Sequence, residues 1–173
     1  LLYQVATAAL NPSDIAAPIR RIFRSQKNIS VLMGEVVSAD LKNQLIATED
    51  QRIRYDYLVM AAGATHSYFG NDQWEETAPG LKKISDATKI RKQVLLAFES
   101  AEMETDPEAR RACLTFVVIG AGPTGCELAG AMAEIAGQTI PQDFRHVDTT
   151  TARVILVEAA PRVLGAFPEK SST

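Results

Sequence analysis

The sequence predicts an α/β fold in which parallel strands are layered between helices, and three observations carry this prediction. An apolar run over residues 116–119 leads directly into a turn with the glycine spacing G-x-G-x-x-G. An apolar, alanine-rich segment typical of a helix leaves the turn. A second β-branched run over residues 153–157 then ends in an acid. This order of strand, glycine turn, helix and strand is typical of a Rossmann-like, three-layer domain that binds a dinucleotide.

The remaining elements follow in chain order. Ser13 is a plausible N-cap for a helix that continues to about residue 24, with apolar residues at helical spacing. Strands are predicted over residues 29–41, 45–48 and 53–61 because β-branched and alternating apolar residues concentrate there. Ser85 or Asp86 is expected to cap a long helix that ends before Pro107. Its helical spacing places five apolar residues on one face: Ile90, Val94, Leu95, Phe98 and Ala101. A short polar turn then leads into the strand near residue 114.

The three glycines of the turn have different expected roles. Gly120 allows a sharp turn off the strand, and Gly122 allows the backbone to approach a pyrophosphate. Gly125 allows the helix to pack closely on the strand. The pyrophosphate is therefore expected at the helix N-terminus, against Gly120, Ala121, Gly122, Pro123, Thr124 and Gly125. The alternative is a plain glycine turn between a strand and a helix.

Glu158 ends the second strand, where a dinucleotide-binding domain places an acid that accepts hydrogen bonds from the ribose hydroxyls. A carboxylate there favours NAD over NADP because it repels a 2′-phosphate. Glu158 lies 33 residues after Gly125, against about 20 in the usual spacing. The excess is assigned to a polar insertion over residues 138–151. The alternative is a solvated acid at the end of a strand.

Composition excludes several classes of protein. The 173 residues carry 18 basic and 21 acidic side chains, a net charge of −3, with no basic cluster suited to nucleic acid. No apolar stretch approaches the ~20 residues of a membrane span, and no secretory signal is expected. The two histidines lack metal-ligand spacing, so no metal site is predicted. The chain is expected to be an internal fragment, because a Rossmann domain needs further strands.

A second turn of small residues follows the apolar run over residues 58–60. Ala61, Ala62, Gly63 and Ala64 would permit a ligand to approach the backbone closely. On its own this is an ordinary small-residue turn. Followed by the glycine motif some fifty residues later, however, it resembles flavoproteins whose FAD domain is interrupted by an inserted NAD domain.

Within that superfamily the chain resembles type II NADH dehydrogenases, the non-proton-pumping NADH:quinone oxidoreductases. The resemblance rests on A-T-H-S-Y-F-G-N-D-Q-W over residues 64–74, A-P-G-L-K over 78–82, D-A-T-K-I-R over 86–91 and T-G-C-E-L-A-G over 124–130. It implies two dinucleotide-binding domains, both incomplete: residues 1–80 as part of the FAD domain, 81–113 as a connecting helical segment, and 114–173 as the first half of the NAD domain.

The resemblance also implies cofactor contacts and a reaction. Val36 and residues Ala61, Ala62, Gly63 and Ala64 would contact FAD, although Ala62 stands where many relatives have threonine. Glu127 would lie near the meeting point of nicotinamide and flavin. The alternative is that Glu127 is an acid in the first turn of the helix that only interacts favourably with the helix dipole.

The substrates implied by the resemblance would be NADH and a quinone of the respiratory chain. The full-length protein would be peripheral, at the cytoplasmic face of the membrane through regions outside this fragment, with a homodimer as one oligomeric state. The fragment alone is expected to be inactive.

Two rival functions remain open at the level of sequence. A flavin-dependent NADH:disulfide or ferredoxin reductase shares the same glycine pattern. A non-catalytic module that binds NADH without flavin also fits.

Overall fold

The computed structural model describes residues 1–172 and divides the chain into two compact units. One unit comprises Leu1–Ile15 together with the residues from Thr65 onward, and the other comprises Ala16–Ala64. The helices are α1 (Leu2–Ala6), α2 (Pro12–Ile15), α3 (Ile19–Ile22), α4 (Ile84–Met103), α5 (Pro107–Cys113) and α6 (Pro123–Glu134). The strands are β1 (Val36–Asp40), β2 (Leu45–Thr48), β3 (Arg52–Arg54), β4 (Thr115–Ile119) and β5 (Arg153–Val157).

The predicted strand–helix–strand unit forms in the larger of the two units. Strands β4 and β5 pair in parallel, with Thr115 opposite Arg153 and Ile119 opposite Val157. Helix α6 connects them and is followed by a π-helical turn over Ile135–Thr139 and an irregular segment. This segment contains the predicted polar insertion, in which the regular structure is a short 3₁₀ turn over Thr149–Thr151. Both strands begin and end within one residue of the predicted positions.

The core of this unit is built around helix α4. Its apolar stripe buries Ala87, Ile90, Val94, Phe98 and Ala101, four of which the helical spacing predicts. Leu95, also predicted for this face, stays 38% exposed. The Phe98 ring is 1% exposed and lies 5.3 Å from the Phe116 ring of β4. The core thus fixes β4, and with it the glycine turn.

One carboxylate ties the end of α4 to the insertion. Glu102 accepts backbone N–H bonds from Arg145, His146 and Val147 at 2.9 to 3.1 Å. Desolvation raises the pKa of Glu102, but the three N–H donors together outweigh it, so the pKa lies below its ordinary value. The ionised carboxylate therefore holds the otherwise irregular segment in place.

The start of α4 and the chain after it differ from prediction. Lys83, not Ser85 or Asp86, is the N-cap, and Asp86 accepts the Lys83 N–H at 2.8 Å from the third helical position. Asp86 thus supplies the acid of a capping box. The turn predicted before β4 is helix α5, which Asp106 caps by accepting the Ala109 N–H. Pro107 sits at its first position, where a missing N–H is tolerated.

The helix predicted over residues 13–24 forms as two short helices, α2 and α3. They are separated at Ala16–Pro18. Pro18 has no N–H, and its ring disfavours a helical conformation at Ala17. The apolar spacing that predicted one helix therefore continues across a break that proline imposes.

The smaller unit contains a three-stranded antiparallel sheet in the order β1–β2–β3. Strand β2 has the predicted bounds, whereas β1 covers only the end of the predicted strand and carries an irregularity between Val36 and Ser38. Strand β3 (Arg52–Arg54) forms the start of the strand predicted over residues 53–61, and the predicted continuation to residue 61 does not form. Val59 and Met60 are 86% and 69% exposed.

None of the helices within residues 1–172 has the length and apolar character that crossing a membrane requires.

Candidate dinucleotide-binding site

The glycine turn adopts a conformation that depends on two of its glycines. Gly120 has φ +93°, a backbone conformation that side chains strongly disfavour. A Cβ added at Gly125 would lie 1.8 Å from the carbonyl oxygen of Gly120. Helix α6 can therefore follow β4 this closely only with glycine at position 125. The structure confirms both steric reasons for the predicted spacing.

The start of α6 is open. Gly122 is the N-cap and provides no side-chain acceptor, and a Cβ added to it would meet no atom within 4 Å. Pro123 follows at the first helical position, and both residues are exposed, as is Thr124. The first N–H groups of a helix have no partners within the helix and carry partial positive charge. This end of α6 thus offers N–H donors and free space to an anion.

Glu158 lies directly against the turn, although 37 residues separate it from Ala121. Its Oε2 accepts the Ala121 N–H at 2.7 Å, and its Oε1 accepts the Ala160 N–H at 2.9 Å. The N–H groups of Ala160 and Ala121 lower the pKa of Glu158. The carboxylate is therefore ionised at neutral pH, and its remaining lone pairs can accept further bonds. The structure brings the two predicted halves of the site together.

The segment after Glu158 also contacts the turn, a feature that sequence reasoning missed. The carbonyl of Ala121 accepts the Leu164 N–H at 2.8 Å and the Cys126 thiol at 3.5 Å. Ala121 itself is 1% exposed. The Arg162 guanidinium donates to carbonyl groups within the same segment. The sequence signal for this contact was an arginine beside a stretch that contains glycine and proline. Carbonyl groups in such an irregular stretch lack regular backbone partners, so an arginine can bond to them.

The predicted catalytic candidate, Glu127, is the fifth residue of α6 and so lies just beyond the first turn, in which its alternative role had placed it. Its side chain is exposed and accepts no hydrogen bond from residues 1–172. An exposed position is available to a ligand and is equally compatible with a solvated acid near the helix N-terminus. The role of Glu127 stays a prediction.

The residues predicted to contact FAD lie in the smaller unit. Ala61, Ala62, Gly63 and Ala64 are exposed and belong to no helix or strand. Gly63 has φ +73°, and a Cβ added there would meet no atom within 4 Å. Val36 opens β1 and is 49% exposed. The backbone of this segment is accessible, as close approach by a ligand requires. The FAD contacts stay predictions.

Comparison with known proteins decides the family. The model of the pyridine nucleotide-disulphide oxidoreductase family matches residues 1–173. The chain belongs to this family. The type II NADH:quinone oxidoreductase Ndh of Mycobacterium tuberculosis is 51% identical over 168 residues, which are 95% of this chain and 36% of the relative. The mitochondrial external alternative NADH-ubiquinone oxidoreductase of Yarrowia lipolytica is 32% identical over 98% of this chain and 31% of its own length.

A solved structure gives the same result for the fold. NDH2 from Plasmodium falciparum, in complex with RYL-552, has a TM-score of 0.85 and 25% identity, over 99% of this chain and 36% of that one. The predicted α/β class and the resemblance to type II NADH dehydrogenases are both confirmed. The chain spans about a third of the length of these relatives and of the solved structure.

Proposed function

We propose that the chain is part of a type II NADH:quinone oxidoreductase and supplies the NADH-binding turn together with one of the FAD-contacting segments. The observation that carries this proposal is the bond between the Glu158 carboxylate and the Ala121 N–H, beside an open helix N-terminus. This bond holds the acid proposed to bind the ribose against Ala121, the residue immediately before the proposed phosphate-binding end of α6. The proposed electron acceptor is a quinone, because the relatives are named as NADH:quinone and NADH-ubiquinone oxidoreductases.

The start of α6 would accommodate the pyrophosphate. Two negatively charged phosphates need N–H donors, positive potential and room for close backbone approach. The start of α6 provides all three, because Gly122 is open and its neighbours are exposed. The same first turn carries no acidic side chain that would repel a phosphate.

Glu158 would determine the choice between NADH and NADPH. Glu158 is ionised and lies at the end of β5, where the ribose of the adenosine half would lie. A carboxylate accepts hydrogen bonds from the ribose hydroxyls, whereas it repels a 2′-phosphate. The chain should therefore prefer NADH to NADPH.

The small residues at positions 61–64 would contact the flavin cofactor. The exposed small residues Ala61–Ala64 and the open Gly63 fit the close backbone approach that FAD needs. When bound, FAD accepts a hydride from NADH and passes the electrons to a quinone. The protein residues would bind and orient the two cofactors, with Glu127 near the reacting rings. In this proposal residues 1–80 and 114–173 belong to the FAD and NAD domains, with residues 81–113 connecting them.

The cellular setting follows from the same resemblance. Regions outside this chain would attach the full-length protein to the cytoplasmic face of the membrane, and a homodimer is part of the proposal.

Anaerobic titration of the full-length protein with NADH tests the proposed function. We expect a yellow protein whose flavin absorbance is lost on addition of NADH and regained on addition of a quinone. A colourless protein would support the module that binds NADH without flavin. A flavin that reduces a disulfide or ferredoxin, but no quinone, would support the rival reductases.

A further inference from the structure

The Ala121–Gly122 peptide is oriented by protein groups on its outer side. The Ala121 carbonyl accepts the Leu164 N–H at 2.8 Å. In a planar trans peptide the carbonyl and the following N–H point in opposite directions. The Gly122 N–H must therefore point away from Leu164. Since Gly122 begins the open end of α6, this N–H is one of the donors available to a pyrophosphate.

The donor that fixes this peptide is itself held in an unfavourable conformation. Leu164 has φ +52°, a region that non-glycine residues seldom occupy. Such a conformation persists only where its surroundings determine it strongly. The Leu164 carbonyl accepts the Phe167 N–H at 2.8 Å, which closes a tight turn on one side of Leu164.

Arg162 provides the rest of those surroundings. One guanidinium nitrogen donates to the carbonyls of Gly165 and Phe167, both at 2.9 Å. The other donates to the Ser172 hydroxyl at 2.8 Å and more weakly to the Leu164 carbonyl at 3.5 Å. The Ser172 hydroxyl in turn donates to the Val163 carbonyl at 2.6 Å. One planar group thus fixes the backbone on both sides of Leu164.

We propose that Arg162 is a positioning residue for NADH, acting through the Leu164 N–H and the Ala121 carbonyl to aim the Gly122 N–H at the pyrophosphate. This inference rests on the proposed function of the glycine turn. It also excludes the simpler role of Arg162 as a direct phosphate ligand. Both terminal nitrogens already donate to protein acceptors, so they are turned toward the segment itself.

The test uses the full-length flavoprotein and rapid anaerobic reduction of its flavin by NADH. The dependence of the reduction rate on NADH concentration gives the Kd for NADH and the limiting rate separately. For R162A we expect the Kd to rise about tenfold, as expected from weakened charge-assisted bonds to phosphate. The limiting rate and the FAD content should stay within about twofold of the wild type, because the nicotinamide and the flavin are positioned elsewhere.

Rescue distinguishes positioning from general damage to the fold. Ethylguanidinium at millimolar concentration should lower the Kd of R162A toward the wild-type value. R153A is the matched control, because Arg153 is exposed on β5 and its side chain bonds to no residue within 1–172; its Kd should not change. If R162A does not retain FAD, R162K replaces it, with a smaller rise in Kd because one nitrogen cannot reach all four acceptors.

The outcomes separate this inference from the function on which it rests. A wild-type flavin that NADH does not reduce would overturn the proposed function itself. Normal reduction of the wild type with an unchanged Kd in the Arg162 variant would overturn only the role of Arg162. A joint fall in affinity, limiting rate and FAD content in R162K would also overturn it.

Discussion

Two small-residue turns follow apolar runs in this chain, and they differ in how they are packed. The run at β4 pairs with β5, and the turn after it packs against α6 and bonds to the Glu158 carboxylate. The run over residues 58–60 has no neighbouring strand within residues 1–172, and its turn is exposed. Gly125 is required by an atom 1.8 Å from its missing Cβ, whereas Gly63 is required only by its φ of +73°. The first turn thus depends on packing at Gly125 as well as on the left-handed backbone of Gly120, and the second on local backbone preference alone.

Adding a methyl group at Gly125 should have the largest effect. In G125A the new Cβ would lie 1.8 Å from the Gly120 carbonyl oxygen, so α6 must move away from the turn. We expect a loss of about 3 kcal/mol or more in the free energy of unfolding and loss of NADH binding. Chemical denaturation and NADH titration of the full-length protein measure both.

The same helix offers a control for G125A. An added Cβ at Gly130 meets no atom within 4 Å, so G130A should stabilise the protein by about 0.5 to 1 kcal/mol through helix propensity. Equal effects of the two substitutions would show that packing does not define this turn.

The sequence predicted the packed turn well because its signals are local. Gly120, Gly125 and the flanking apolar runs specify a turn and two strands whose partners lie within the same chain. The apolar run at residues 58–60 carries an equally strong strand signal, but a strand also needs a neighbour for its N–H and C=O groups. The apolar character of the run does not show whether such a neighbouring strand exists.

The pH dependence of stability should reflect Glu102, the carboxylate that fastens the insertion to α4. The pKa of Glu102 lies below its ordinary value of 4.5. Its stabilising contribution is therefore fully present above pH 4.5 and is lost as the pH falls through the lowered pKa. E102Q should be less stable than the wild type at neutral pH, and this difference should shrink in acid.

Denaturation over a series of pH values checks this expectation. E99Q is the control, because Glu99 is exposed on the same helix and should leave the pH profile unchanged. A difference between E102Q and the wild type that persists unchanged below the lowered pKa would contradict it.

The smallest effect should come from the open turn. In G63A the added Cβ meets no atom within 4 Å, so the cost is the left-handed backbone alone, about 1 kcal/mol. G137A, at an open position without a positive φ, should be closer to neutral. Chemical denaturation measures the stability of the two variants, and FAD release measures how well each retains the cofactor. A cost for G63A as large as that for G125A would erase the contrast between the turns.

Three other features were not predicted from the sequence, two of which depend on specific contacts. The break at Pro18 was readable from the residue itself, but the apolar spacing around it suggested a continuous helix. Arg162 gave no periodic signal, and its importance appears only once four acceptors surround it. The left-handed φ of Leu164 likewise could not be predicted from the sequence, because leucine disfavours this conformation.

We propose that Glu158 and the open start of α6 together hold NADH. The Kd of the full-length protein for NADH and for NADPH tests this, compared among the wild type, E158Q and the control E134Q, whose carboxylate is exposed at the end of α6. We predict that E158Q binds NADH about tenfold or more weakly and loses its preference over NADPH, since a hydrogen bond to a charged group contributes ~1.5–3 kcal/mol. E134Q should match the wild type. An E158Q variant that binds both nucleotides with wild-type affinity and preference would contradict the claim.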